Sequence, residues 1–190
     1  MGIRDKIREY IEISEVSEIA RRYFVMNAFD GVLTILGVVI GAYVSGCTPD
    51  VVVKAGISGS LAMGISGISG AYMAEKAERT RELKKLESAL LISLKDTIPG
   101  RASKFATFYV AFIDGVSPAI TGILLISPFF FFQMREGFII SVSLAFTTLF
   151  VLGTYLARIC NENLLIHGIK MLGVGIMTAI ACLGLVLLMK

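Results

Sequence analysis

The chain has 190 residues, 55% of them apolar, with a mean hydropathy of +0.78 and a net charge of +3. That hydropathy excludes an ordinary soluble domain. The charges gather in residues 2–22 and 75–104, no basic–aromatic surface accompanies them, and nucleic-acid binding is not indicated.

Residues 2–22 read as an amphipathic cytosolic segment, with Ile3, Ile7, Tyr10 and Ile11 on one face and Ile19, Tyr23 and Phe24 following. Such a helix lies on a membrane surface or caps a bundle. These residues are too charged, and the next apolar run too long, for a cleaved signal peptide.

Five apolar runs follow, at about 23–44, 51–74, 105–127, 138–157 and 169–189. Each is long enough to span a hydrocarbon core. Backbone crossing lipid must pair its own polar groups, so each run is predicted to be helical. The expected fold is all-α: transmembrane helices one and two in 23–74, a charged cytosolic helix in 75–104, and helices three to five in 105–189.

Helix one carries Asn27, Asp30, Thr34, Gly37, Gly41 and Ser45. Steps of three and four put these small and polar groups on one face. That face is expected to be shielded from lipid. Helix two repeats the pattern with Gly56, Ser60, Gly64, Gly67 and Ala71, a stripe that allows close helix packing. In the same phase Glu75, Glu78 and Glu82 follow, as a solvated face or as a column of metal-collecting carboxylates. Glu75 and Arg79 also have the spacing of a helical ion pair.

In residues 75–104, Leu83, Leu86, Leu90 and Leu94 form an apolar helical face, and Pro99-Gly100 is expected to stop the helix. Helix three carries Thr107, Asp114, Pro118 and Thr121. Pro118 removes the hydrogen bond to the Asp114 carbonyl, and Pro128 the one to Leu124. His167, at the mouth of helix five, reads as an interfacial residue. Cys47, Cys160 and Cys182 have neither metal-like spacing nor an implied disulfide.

Asp30-Gly31-Val32 and Asp114-Gly115-Val116 repeat after 84 residues, and the same shift brings helix two onto helix four. Two parallel two-helix units plus a fifth helix are implied. At 1.5 Å per residue the two aspartates lie roughly 10 and 14 Å past their helix starts. An ionised carboxylate inside a bilayer costs about 2.5–3.5 kcal/mol or more. No Lys or Arg lies deep in a span to pair with them. Each must therefore bind a cation, bind a proton, or hydrogen-bond to Asn27, Thr34 or Thr121. Alternating the first two is the minimum chemistry of a proton-coupled cation carrier, and oxygen ligands suit Mg, Ca, Mn or Fe(II).

Fifteen Lys and Arg fall on the side of the N-terminus and only Lys54, Arg135 and Lys190 on the other. The N-terminus is therefore expected in the cytosol and the C-terminus outside or in a lumen. There is no phosphate loop, HExxH or nucleophile triad, so an enzyme and an organic cofactor are not expected.

The stretch "RRYFVMNAFDGVLTILGVVIGA" resembles the first membrane helix of the vacuolar iron transporter family. The five-span plan, the charged insertion and "LLISPFFF" are similar too. The resemblance implies a homodimer in the lipid bilayer, in a prokaryote the cell membrane, that carries Fe2+ and often Mn2+ out of the cytosol in exchange for protons. It makes Asp30 the membrane aspartate of the transport path, lining the dimer interface, and makes cytosolic glutamates metal collectors. The family's helix-two Ser-Met and Gly-Glu-Tyr read here Ser66-Gly67 and Gly70-Ala71-Tyr72. The expected transport path is Asn27, Asp30, Thr34, Asp114 and Pro118, with Asp30, Glu75, Glu78 and Glu82 as metal ligands. The alternative is a non-transporting scaffold or metal sensor that keeps the fold.

Overall fold

Long apolar runs become long helices. The computed structural model describes residues 9–11, 14 and 16–189. It contains α1 (Val16–Val44), α2 (Pro49–Leu90), α3 (Ile98–Ile126), a 3-10 turn (Ser127–Phe130), α4 (Met134–Cys160) and α5 (Leu164–Leu188). Among the described residues there is no strand. All five helices are long and apolar enough to cross a membrane. The chain is an all-α integral membrane protein.

The chain divides into two compact units, Met1–Phe24 with Gly64–Val116 and Val25–Met63 with Ser117–Lys190. In the second, Val32, Ile35, Leu36 and Val39 of α1 are fully buried, in a core with Leu125 and Ile126 of α3 and Leu149 of α4. Lipid removes most of the hydrophobic drive for helix association, so close packing has to supply it. The glycines show where: a Cβ on Gly56 would sit 2.4 Å from Ile126 Cδ1, and one on Gly122 2.2 Å from Ser60 Oγ. Gly175 meets Leu149 in the same way, at 2.4 Å. The carbonyls that open where α3 ends are paired. Leu124 O accepts from Ser127 Oγ at 2.7 Å and Leu125 O from Ser141 Oγ at 2.7 Å.

α5 starts earlier than the apolar run at 169 predicted. Asn161 takes φ 54° to end α4, and Asn163 caps α5 by accepting from the backbone N–H of Leu165 and Ile166 at 3.1 and 3.4 Å. A side-chain cap of this kind outranks the apolar pattern as a start signal. His167 Nε2 lies against the Glu162 carboxylate in this turn.

The first unit is organised around the charged end of α2. Val16, Ala106 and Val110 form its small core, with Ile11, Ile19 and Tyr23 packed on it. The described part of the N-terminal segment thus packs on α3, and α1 runs unbroken from Val16 into the first span. Ile3 and Ile7 of the predicted amphipathic face lie outside the described residues.

Two expectations for residues 75–104 are corrected. Pro99-Gly100 does not stop the helix; it lies in the first turn of α3, where a proline lacks nothing. The stop is Leu91, at φ 54°. Leu94 therefore leaves the helical leucine face and is buried in the link, while Leu86 and Leu90 are exposed. Glu87 Oε1 secures the link by accepting from Leu94 N at 2.7 Å and Ser93 Oγ at 3.2 Å.

Candidate functional site

The polar stripe of α1 is partly covered within the chain. Gly37 lies against Cys182 Sγ, 3.3 Å from where its Cβ would be, and Gly31, beside the stripe, lies against Pro118 and Thr121. Pro118 is buried. A Cβ on Gly31 would meet Thr121 Oγ1 at 2.5 Å and the Pro118 Cα at 2.7 Å, so the two backbones nearly touch. The Thr121 hydroxyl lies within 3.1–3.3 Å of the carbonyls of Ser117, Pro118 and Ala28. Asp30 and Thr34, by contrast, are exposed and Asn27 half-buried. The expectation that this whole face is shielded therefore does not hold for a single chain. The helix packs along the edge of the stripe and leaves its carboxylate uncovered.

Asp114 has the opposite setting. It is 6% exposed. A Cβ on Gly67 would lie 3.0 Å from Asp114 Oδ2 and 3.2 Å from its carbonyl oxygen. The carbonyl that Pro118 deprives of its helical donor thus faces the backbone of α2. Next to it, a Cβ on Gly115 would be 2.3 Å from Gly64 O. Gly64, Gly67 and Ile68 form the α2 side of this contact.

The glutamate column splits by helical phase. Four-residue steps from Gly67 reach Ala71, Glu75 and Arg79, and these stay on the packed face. Arg79 Nε donates to Glu75 Oε2 at 3.1 Å, with the two side chains 9% and 12% exposed. Tyr23 also hydrogen-bonds to Glu75. Glu78 and Glu82 turn away from this face. Glu82 is exposed, and Glu78 makes only a long exposed pair with Arg81, at 3.7 Å. The sequence marked the Glu75–Arg79 spacing but not its burial or its link to Tyr23. The signal was available: the small-residue stripe continues in steps of four through both. Among the described residues, no three His, Cys, Asp or Glu side chains gather closely enough to hold a metal ion.

A family model, that of the VIT family, matches residues 21–91 and 97–187. The chain belongs to the VIT family. It is also 38% identical, over 87% of each chain, to a protein of Methanocaldococcus jannaschii described as uncharacterized. VIT membership points to a membrane metal-ion transporter and away from an enzyme. Asp30 and the rest of α1 from Arg21 onward lie inside the matched region, as do the cationic end of α2 and all of α3. The structure also gives a physical context for positions 67 and 71, where the resemblance in sequence implies a methionine and a glutamate. At Gly67 two oxygens of Asp114 fill the space a methionine would need, and Ala71 is 6% exposed, where a glutamate would be crowded.

Proposed function

We propose that this VIT-family chain works as a homodimer that carries Fe(II) or Mn(II) out of the cytosol in exchange for protons. The observation that carries the reading is Asp30, an exposed carboxylate within a membrane-spanning helix, flanked by Asn27 and Thr34. A carboxylate facing hydrocarbon costs about 2.5–3.5 kcal/mol or more. A second copy set against the same stripe covers it, and a two-fold interface presents every ligand twice. Two Asp30 carboxylates with Asn27 and Thr34 oxygens then form an oxygen-rich site suited to Mn(II) or Fe(II). When the metal leaves, protons neutralise the carboxylates.

The exposed Glu78 and Glu82 gather cations at the cytosolic end of α2, an orientation that follows from the excess of Lys and Arg on that side. Glu75, held by Arg79, becomes a ligand only when that pair opens. This last point also favours a second reading, a non-transporting scaffold or sensor, because α2 offers the metal little within the membrane.

The deciding experiment is metal-driven proton flux in proteoliposomes, with Fe(II) and Mn(II) tested separately. Asp30→Asn should reduce flux to the protein-free background while insertion and dimerisation persist. Flux equal to that of the unmodified protein would refute the transport path. Absence of flux in the unmodified protein across both metals would favour the scaffold or sensor.

A further inference from the structure

The first unit contains a cavity of about 240 Å3 between the charged end of α2, the following link and the start of α3. Its lining has five cationic residues, Lys76, Arg79, Lys84, Lys95 and Lys104, and a single carboxylate, Glu87. That carboxylate is already engaged by Leu94 N and Ser93 Oγ. Arg79 is 8% exposed; its Nε is taken by Glu75, and its buried Nη2 has no hydrogen-bond partner. A buried guanidinium nitrogen without an acceptor is costly and calls for one.

We propose that this cavity is a binding site for a phosphate-bearing anion, distinct from the cation path. Three observations converge on that chemistry. With its Nε held by Glu75, Arg79 keeps a buried Nη2 that lacks an acceptor and suits a phosphate oxygen, and the lysines supply point charges around it. The hydroxyl-bearing residues Thr80, Ser103 and Thr107 lie in the same lining. The volume falls below the roughly 300–1,000 Å3 of sites for drug-sized ligands and suits a compact headgroup. The position fits as well. Lys76 follows the apolar run of α2 by two residues, and Lys104 directly precedes that of α3, so both stand at headgroup level. Basic pockets at this level between membrane helices are where lipid headgroups dock. The same oxygens are offered by a free phosphate.

Lysines placed only to orient the chain in the membrane would give diffuse, non-saturating attraction. A built site gives saturable binding that depends on its own residues. The full-length protein in phosphatidylcholine nanodiscs is titrated with inorganic phosphate and pyrophosphate. In a second arm the nanodiscs contain graded phosphatidic acid or phosphatidylglycerol, and retained lipid is counted by native mass spectrometry. Saturation in the lipid arm alone identifies a headgroup, and saturation in the phosphate arm identifies a free anion; either supports the site. The double variant K95Q/K104Q, at two exposed positions, should bind about 10-fold or more weakly. Arg79→Lys, which keeps the charge and removes Nη2, should weaken binding several-fold. Lys54→Gln, in the other unit, should leave it unchanged. The proposal fails if neither arm saturates, if K95Q/K104Q binds as the unmodified protein does, or if Lys54→Gln weakens binding equally.

Discussion

Asp30-Gly31-Val32 and Asp114-Gly115-Val116 are the same tripeptide in two settings. In both, the glycine meets another backbone, Gly31 at the Pro118 Cα and Gly115 at the Gly64 carbonyl. The aspartates differ: Asp30 is exposed and Asp114 buried. Adjacent residues on a helix point about 100° apart. A close contact at the glycine therefore leaves open whether the preceding side chain is covered. What the repeated motif marks is a place where helices touch; the fate of the carboxylate depends on what else packs there.

The largest effect should separate the two aspartates. Asp30→Asn is expected to abolish metal-driven proton flux at unchanged thermal stability. Asp114→Asn is expected to lower the melting midpoint in detergent while folded protein keeps measurable flux. If Asp114→Asn abolishes flux at unchanged stability, the two sites are equivalent carboxylates after all.

Next come the buried and exposed arginines of α2. Arg79→Ala leaves Glu75 buried without its cation and should cost about 3–5 kcal/mol. Arg81→Ala removes an exposed pair and should cost no more than about 1 kcal/mol. Chemical unfolding in detergent measures both; equal losses would mean that the Glu75–Arg79 pair is solvated.

The glycines give a smaller contrast. Gly115→Ala forces a methyl group into the Gly64 carbonyl and should destabilise by about 1–3 kcal/mol. Gly59→Ala meets nothing within 4 Å and should stabilise the helix, by at most about 1 kcal/mol. A large loss at Gly59 would locate a second copy against it. The smallest effect is expected from Glu78→Gln and Glu82→Gln. Both are exposed, so stability should shift by about 0.5 kcal/mol or less. The apparent KM for metal should rise a few-fold, as expected of cation collection rather than transfer.

Much of the fold could be read from periodicity and apolar length alone. Five spans follow from five runs because lipid accepts little besides helices. Pattern alone misplaces the link between α2 and α3, because proline and glycine serve equally to end one helix or to begin the next. Only Leu91 in a left-handed conformation and the Glu87 cap settle which. The glutamate column was half legible. Steps of three and steps of four both stay near one helical face, yet only the four-step series Ala71, Glu75, Arg79 follows the packed seam, while Glu78 and Glu82 rotate into solvent.

By itself, the sequence determined the class of this protein: an all-α membrane protein with a cationic end on α2, a carboxylate in its first span, and a stripe of small residues along α2. Composition and helical period suffice for that, because they act residue by residue along one chain. Tertiary structure decided which polar groups are paired and which are left open. Tyr23 and Arg79 both engage Glu75 although more than fifty residues separate the two. The same packing leaves Asp30 uncovered and Arg79 Nη2 without an acceptor. Burial is a property of neighbours brought from elsewhere in the chain, and no local pattern contains it.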